Sequence, residues 1–315
     1  MTDAIANEKP LIKRLVIVGV GLIGGSLARA LRASGAVEEI VGCGRNVGNL
    51  ERAIELGVID RFETDPALAV VGADMVFLAV PLGAMQRVML SIKDSLPADA
   101  VITDGGSAKH SVVTDAIAAW GKLPAQFVPG HPIAGRELGG VEASTADLYQ
   151  SRRIILTPLG ETDTDATAKV SAMWAATGAV VTTMSVEHHD EVLAATSHLP
   201  HVLAYQLVNT LAGLDDRIDI FRYAAGGFRD FTRIASSDPV MWRDIALANS
   251  DALLAVLDQY STDLNALRER ISAGDAAGLE SMFFDAKQAR DAYVDSIEQG
   301  DRPVTALSSD IANNS

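Results

Sequence analysis

Apolar runs without a polar face alternate with stretches of helical spacing through the first half of the chain. Arg14-Leu-Val-Ile-Val-Gly19 is a short, β-branched run of the kind that forms a strand buried on both sides. It ends in Gly19-Val-Gly21-Leu-Ile-Gly24-Gly25-Ser26, after which Leu27, Ala30 and Leu31 repeat at helical spacing up to Gly35. Glu39–Cys43 reads as a second strand and Asn49–Leu56 as a helix with Gly57 at its C-cap. Met75–Val80, before Pro81, is a third strand and Val101–Thr103 a fourth; Phe127-Val128 and Arg153–Leu156 supply two more. Strands alternating with helices predict an α/β domain, a doubly wound parallel sheet.

The texture changes after Val180-Val181. From Val186 onward the pattern is helical, and Leu253, Leu257, Tyr260, Leu264, Leu267 and Ile271 step by four and three in a heptad-like seam. A break at Ser272–Gly278 precedes Leu279, Met282, Phe283 and Tyr293, which resume a helix. The seam either packs inside its own bundle or joins two copies into a homodimer. The expected division is a dinucleotide-binding domain over 1–185, with a disordered tail at 1–10, and an all-α substrate and dimerisation domain over 186–315, with a polar tail at 301–315. The helical pattern is exhausted by about Gln299, so no further appended domain is expected.

Charge and cysteine content narrow the class. Lys and Arg number 26 against 41 Asp and Glu, a formal net charge of −15, which repels phosphate backbones and anionic lipid. The single cysteine, Cys43, excludes an intrachain disulfide and a zinc–thiolate cluster and fits a reducing compartment. No apolar run reaches the roughly 18 residues of a membrane span. Met1–Pro10 lacks the basic and apolar segments of a secretion signal. A cytoplasmic protein with a small-molecule substrate, bound to neither nucleic acid nor membrane, is expected.

The glycine motif points to a dinucleotide. Gly19 permits the tight turn, Gly21 lets backbone approach a pyrophosphate, and Gly24 lets the helix pack close to the strand. The helix then offers unpaired N–H groups and a partial positive charge to the phosphate. We assign the cofactor to Gly19, Gly21, Leu22, Ile23, Gly24, Arg45, Val80 and Pro81. The acidic residue that binds a ribose 2′-hydroxyl about 20 residues on is replaced here by Gly44, with Arg45 beside it. Without a carboxylate a 2′-phosphate is not repelled, and a guanidinium pairs with it bidentately. NADP is therefore the preferred cofactor, with NAD as the alternative in which Arg45 is only a solvated charge.

Among six histidines, His110 reads as surface, and His188 and His189, beside Glu187 and Asp190, as a polar first turn of a helix. His131 follows a strand, at the carboxyl edge where open α/β sheets bind ligands. His198 and His201 lie three apart, and Pro200 between them removes a helix hydrogen bond. No HExxH pattern or cysteine supports a metal, so none is expected.

Five blocks occur in order: Gly19–Ser26, Asp104-Gly-Gly-Ser107-Ala-Lys109, Gly130-His-Pro-Ile-Ala-Gly-Arg-Glu137, Ser197-His-Leu-Pro-His201, and Gly227–Arg233 continuing through Asp238–Trp242. Together they resemble the prephenate/arogenate dehydrogenase family of tyrosine biosynthesis, from about residue 12 to about residue 300. The resemblance implies a Rossmann domain followed by a helical dimerisation domain. It also implies oxidative decarboxylation of prephenate or arogenate with hydride transfer to NAD or NADP.

The resemblance further assigns roles. His131 takes the substrate's hydroxyl proton, and Ser107 bonds the same hydroxyl or orients the imidazole. Arg233 holds a carboxylate, Ser197, His198 and His201 line the pocket, Glu137 shapes or gates it, and Trp242 stands near the neighbouring subunit's site. Each has a plainer reading: Ser107 as a helix N-cap, Arg233 in a surface pair with Asp230 or Asp238, Trp242 as core. Arg136 departs from the small or neutral residue common at its position and bears on the choice between the keto acid and the amino acid. Tyrosine, if it inhibits, is expected to compete at the substrate pocket. The competing readings are a Rossmann oxidoreductase of the 3-hydroxyacid dehydrogenase or imine reductase type, and a non-catalytic dinucleotide sensor.

Overall fold

The computed structural model describes residues 10–136, 138–214 and 217–298. Among these the chain divides into two compact units, one up to residue 254 and one from residue 255 onward.

The first unit opens with β1 (Ile12–Val18), α1 (Leu22–Ala33), β2 (Val37–Cys43), α2 (Val47–Glu55), β3 (Arg61–Glu63), α3 (Pro66–Ala69) and β4 (Met75–Leu78). It continues through α4 (Met85–Ile92), β5 (Val101–Asp104), α5 (Lys109–Trp120) and β6 (Phe127–Val128). The six strands form one parallel sheet in the order β3-β2-β1-β4-β5-β6. This is the doubly wound order, with its crevice where β1 and β4 lead in opposite directions. Both faces of the sheet are covered, which is why the strands read as unbroken apolar runs. Leu15, Ile17, Met75 and Phe77 face one core with Leu27, Leu31 and Trp174, while Val16, Val18, Val76 and Leu78 face the other with Met85, Met89 and Val112.

One strand departs from the expectation. Arg153–Leu156 is not part of the main sheet; it is the centre of a second, three-stranded sheet formed by β7 (Gly130–Pro132), β8 (Arg153–Leu156) and β9 (Val180–Thr183). β7 runs antiparallel to β8 and β9 parallel to it. Pro129, between β6 and β7, has no N–H with which to continue the β5 ladder, and its carbonyl accepts instead from the Thr157 N–H at 2.9 Å. The chain thus leaves one sheet for the other just before His131. Helix α6 (Thr164–Ala175), capped by the Asp163 carboxylate, closes this part.

The remainder is helical: α7 (Val186–Leu193), a π-helical turn at Ala194–His198, α8 (Leu199–Ala212), α9 (Arg217–Arg222), α10 (Gly226–Thr232), a 3₁₀ turn at Arg233–Ser236 and α11 (Pro239–Ala248). Ser185 caps α7 and Asp238 caps α11, with Pro239 at the first helical position. Helix α12 (Ser250–Ala273) leads into the second unit, which ends in α13 (Ala276–Glu298). Gly274, at φ +67°, makes the turn between them, inside the break expected at Ser272–Gly278. In this unit Tyr260, Leu264 and Ile271 of the seam are exposed, as are Phe283, Phe284 and Tyr293.

Candidate active site

The glycine motif is built as its spacing requires. Gly19 sits at φ +104°, and a Cβ there would lie 2.3 Å from the Ala79 carbonyl oxygen. At Gly24 a Cβ would lie 2.2 Å from the Gly19 carbonyl oxygen and 2.7 Å from Ile17 Cγ2, so only glycine lets α1 seat against β1. Gly21, the N-cap of α1, has nothing within 4 Å of its Cβ position. The space beside it is open to a phosphate, and the first-turn N–H groups of α1 border it.

A cavity of about 630 Å³ lies here, lined by Gly19, Gly21, Gly44, Arg45, Asn46 and Asn49. The end of β2 presents no carboxylate, since Asn46 caps α2 and Asn49 Nδ2 donates to the Val20 carbonyl at 2.8 Å. Arg45 is exposed at its rim. Leu22, Ile23, Val80, Pro81 and Ser107 line a further cavity of about 460 Å³ on the same sheet edge.

At the carboxyl end of β5 a buried ion pair fixes the next turn. The fully buried Lys109 ammonium bonds the Asp104 carboxylate and donates to the Gly130 carbonyl at 2.6 Å. Asp104 also accepts from the N–H groups of Gly106 (2.7 Å) and Gly130 (3.0 Å). Burial pulls the Lys109 pKa down, against the opposing pull of Asp104. These bonds tie the residue before His131 to β5 and α5.

His131 Nδ1 lies 2.9 Å from His189 Nε2, and His189 Nδ1 lies 2.7 Å from Asp190 Oδ1. The Asp190 carboxylate also caps α5, accepting from the Lys109 N–H at 2.8 Å and the His110 N–H at 2.9 Å. His189 is wholly buried, while Asp190 and His131 are 5% and 8% exposed. Burial holds His131 well below the usual imidazole range, with His189, Lys109 and His198 adding to the effect. It lowers His189 too, against the bond that His189 donates to Asp190. Burial works to raise Asp190, but bonds from His189 and the two backbone N–H groups outweigh it and leave the carboxyl below its ordinary value. At neutral pH the arrangement is a carboxylate and two uncharged imidazoles.

His131 opens onto a cavity of about 600 Å³ shared with Arg136, Ser197, His201, Arg233 and Trp242. The π-helical turn ends at His198, two residues before Pro200. Trp242 stacks on His201, ring centroids 3.6 Å apart and planes 18° from parallel, and meets His198 edge-on at 6.2 Å. His201 Nδ1 donates to the Ser197 carbonyl at 2.9 Å. Asn249 Nδ2 donates to the Asp190 carbonyl at 2.8 Å and lies 3.1 Å from His198 Nδ1. Burial pushes the His198 pKa down to about 4 and lowers His201 as well.

The chain matches two family models, the nucleotide-binding domain of prephenate dehydrogenase over residues 27–183 and its dimerization domain over residues 185–284. It is 41% identical over 285 residues to a cyclohexadienyl dehydrogenase of Zymomonas mobilis, covering 89% of this chain and 96% of that protein. The chain belongs to the prephenate dehydrogenase family. It is also 36% identical to a Bacillus subtilis prephenate dehydrogenase, over 88% of this chain and 75% of that one. Among solved structures, prephenate dehydrogenase from A. aeolicus in complex with hydroxyphenyl propionate and NAD+ superposes with a TM-score of 0.83 at 39% identity, covering 88% of this chain and 97% of that one. Synechocystis arogenate dehydrogenase gives 0.76 at 28% identity, over 89% and 99% of the two chains.

For this family member the structure gathers His131, Ser197, His201, Arg233 and Trp242 around one cavity. Trp242 lines its own chain's cavity, stacked on His201. Ser107 lies in the adjoining cavity, which shares Met241 with the first. It is not the cap of α5, whose N-cap is Ala108 and whose first N–H groups go to Asp190. His198 sits behind the wall, buried, with no hydrogen-bond partner for Nε2 among the described residues. Glu137 lies outside the described residues.

His189 corrects part of the sequence reading: it lies in the first turn of a helix, as expected, but is a wholly buried partner of His131 and not merely a polar turn residue. The signal was present in the spacing. Val186, His189, Asp190 and Leu193 repeat at i, i+3, i+4 and i+7, which puts the polar pair on the buried stripe of α7. His188 and His110 are exposed as expected. Lys109 and Asp104 were read only as parts of a motif, and the pair they form is set by tertiary contact.

Proposed function

We propose that this family member oxidatively decarboxylates prephenate or arogenate in tyrosine biosynthesis, with NADP preferred over NAD as hydride acceptor. The observation that carries the site reading is His131, an imidazole held uncharged in a cavity that also presents the Arg233 guanidinium. The substrate ring loses hydride from its hydroxyl-bearing carbon, the hydroxyl becomes a carbonyl, and carbon dioxide leaves as the ring aromatises. A nicotinamide dinucleotide held at Gly19, Gly21 and Gly24 would supply the hydride acceptor.

The chain's own residues have three tasks. His131 receives the hydroxyl proton, Arg233 pairs with a carboxylate in fork geometry, and Ser197, His201 and Trp242 shape the pocket. Ser107, between the nucleotide cavity and the substrate cavity, bonds the hydroxyl, and His198 supports the wall from behind. Glu137 is proposed to gate the pocket on the family resemblance alone. Arg136, whose guanidinium reaches Asp147 at 3.6 Å on the cavity rim, adds a second cation that bears on substrate choice.

The open backbone at Gly21 fits a pyrophosphate. NADP preference is supported by the exposed Arg45 guanidinium at a strand end without a carboxylate. A homodimer through the helical part is supported by the exposed apolar residues of α12 and α13 and by the matched dimerization domain. We place the domain division at 185/186, next to the junction of the two matched segments, which cover residues 27–183 and 185–284. A cytoplasmic location belongs to the same proposal, supported by the single, buried Cys43; no helix among the described residues is long and apolar enough to cross a membrane. A net charge of −15 favours a small-molecule substrate over nucleic acid.

Initial rates at 340 nm with prephenate or arogenate, each with NAD or NADP, test the reading directly. Turnover with NADP that falls at least tenfold in Arg45→Ala, with NAD rates unchanged, is expected. Turnover with NAD alone rejects Arg45 as a phosphate ligand. His131→Asn should keep cofactor affinity and lose turnover by orders of magnitude, which a dinucleotide sensor would not show.

A further inference from the structure

The bond order around His131 determines which of its nitrogens is free. The Asp190 carboxylate accepts the Lys109 and His110 N–H groups and, being ionised, has no proton to offer. His189 Nδ1, 2.7 Å from Asp190 Oδ1, therefore carries a hydrogen. A neutral imidazole has one N–H, so His189 Nε2 is a bare lone pair. His131 Nδ1, 2.9 Å away, must then be the donor, and its Nε2 is left without a hydrogen.

A cationic His189 would reverse this, donating from Nε2 and forcing the His131 proton onto Nε2. Complete burial of His189 next to the Lys109 ammonium opposes that state.

We propose that Asp190 and His189 are positioning residues that hold His131 as its Nδ1–H tautomer, leaving Nε2 as the acceptor for the substrate's hydroxyl proton. The inference rests on the reading of His131 as that acceptor. When the hydroxyl O–H bond breaks, its proton goes to Nε2. The resulting imidazolium keeps its Nδ1–H bond to His189, with the Asp190 carboxylate beyond it as the nearest negative charge on that path. Asp190 also ties this tautomer to the fold, because the same carboxylate caps α5, whose first residue holds the turn before His131.

The test combines a spectroscopic and a kinetic measurement on the full-length protein. Two-bond ¹H–¹⁵N correlation of ¹⁵N-histidine-labelled enzyme, with the His131→Asn variant to assign the signal, should show His131 with a protonated Nδ1 and a pyridine-like Nε2. The opposite tautomer overturns the proposal whatever the turnover, and leaves the identity of the proton acceptor as a separate question. His189→Leu removes the acceptor; kcat should fall on the order of 10²–10⁴-fold, with substrate KM and cofactor Kd within about threefold. In His189→Gln an amide oxygen replaces the acceptor, and kcat should recover at least tenfold over the leucine variant. Equal kcat in the leucine, glutamine and parent enzymes, with the Nδ1–H tautomer confirmed, means that His189 does not position His131 for catalysis; this also overturns the proposal, while the His131 reading is decided separately by the His131→Asn turnover.

Discussion

Acidification should unfold this protein through its buried histidines, and His198 allows the size of the effect to be worked out. The side chain is 1% exposed, accepts from Asn249 at Nδ1 and packs edge-on against Trp242. Burial pushes its pKa down to about 4, against 6.5 for the free side chain. A folded-state pKa below the unfolded one means that protons bind the unfolded chain preferentially. The stability is therefore fully present above about pH 6.5 and is lost as pH falls below it. Taking the ratio of the two binding polynomials, the loss from His198 between pH 7 and pH 5 is about 2 kcal/mol. His131, His189 and His201 are lowered by the same cause and add with the same sign.

The assay is urea unfolding of the parent and of His198→Asn at both pH values. The variant's intrinsic stability cost is common to the two pH values and cancels in the difference between them. The parent should lose about 2 kcal/mol more than the variant on going from pH 7 to pH 5. Equal losses, within about 0.5 kcal/mol, would refute the claim that burial keeps this imidazole uncharged, and would weaken the same argument for His131.

The glycines of the first turn separate structural from ligand roles. Gly24→Ala should cost at least about 2 kcal/mol in urea unfolding, because its Cβ has backbone 2.2 Å away. Gly21→Ala, with nothing within 4 Å, should leave stability unchanged while cofactor Kd rises at least tenfold; a Kd within twofold of the parent would argue against a pyrophosphate at that backbone. Lys109→Met strands the Asp104 carboxylate in the interior and should cost about 3–5 kcal/mol, measured by the same unfolding; a loss under about 1 kcal/mol would mean that its N–H bonds alone satisfy Asp104. Arg136→Ala should change the ratio of kcat/KM for prephenate to that for arogenate by at least threefold, read from initial rates with the two substrates; an unchanged ratio would show that the Arg136 charge takes no part in the choice.

Local sequence determined the sheet and the nucleotide turn. Buried parallel strands are apolar on both faces, so Leu15–Val18 and Met75–Leu78 stood out without any knowledge of their neighbours. A motif such as Gly19-Val-Gly21-Leu-Ile-Gly24 carries much of its geometry locally, because the Gly24 clashes lie with Gly19 and Ile17, although the Gly19 clash is with Ala79 beyond β4. The histidine cluster was only half legible. His131, Ser197 and His201 sit in distinctive blocks, whereas the partner of His131 comes from a helix 58 positions away. His189 and Asp190 look like an ordinary polar helix start, and burial against His131 and the α5 terminus is what gives them a task. The second sheet was illegible for a similar reason: β7 is three residues long, too short for a period, and exists because Pro129 ends one ladder and β8 offers another. Short-range sterics and hydrophobic period are written in the chain. Hydrogen-bond partners across the fold, and the pKa values that follow from burying them, are decided only when distant segments meet.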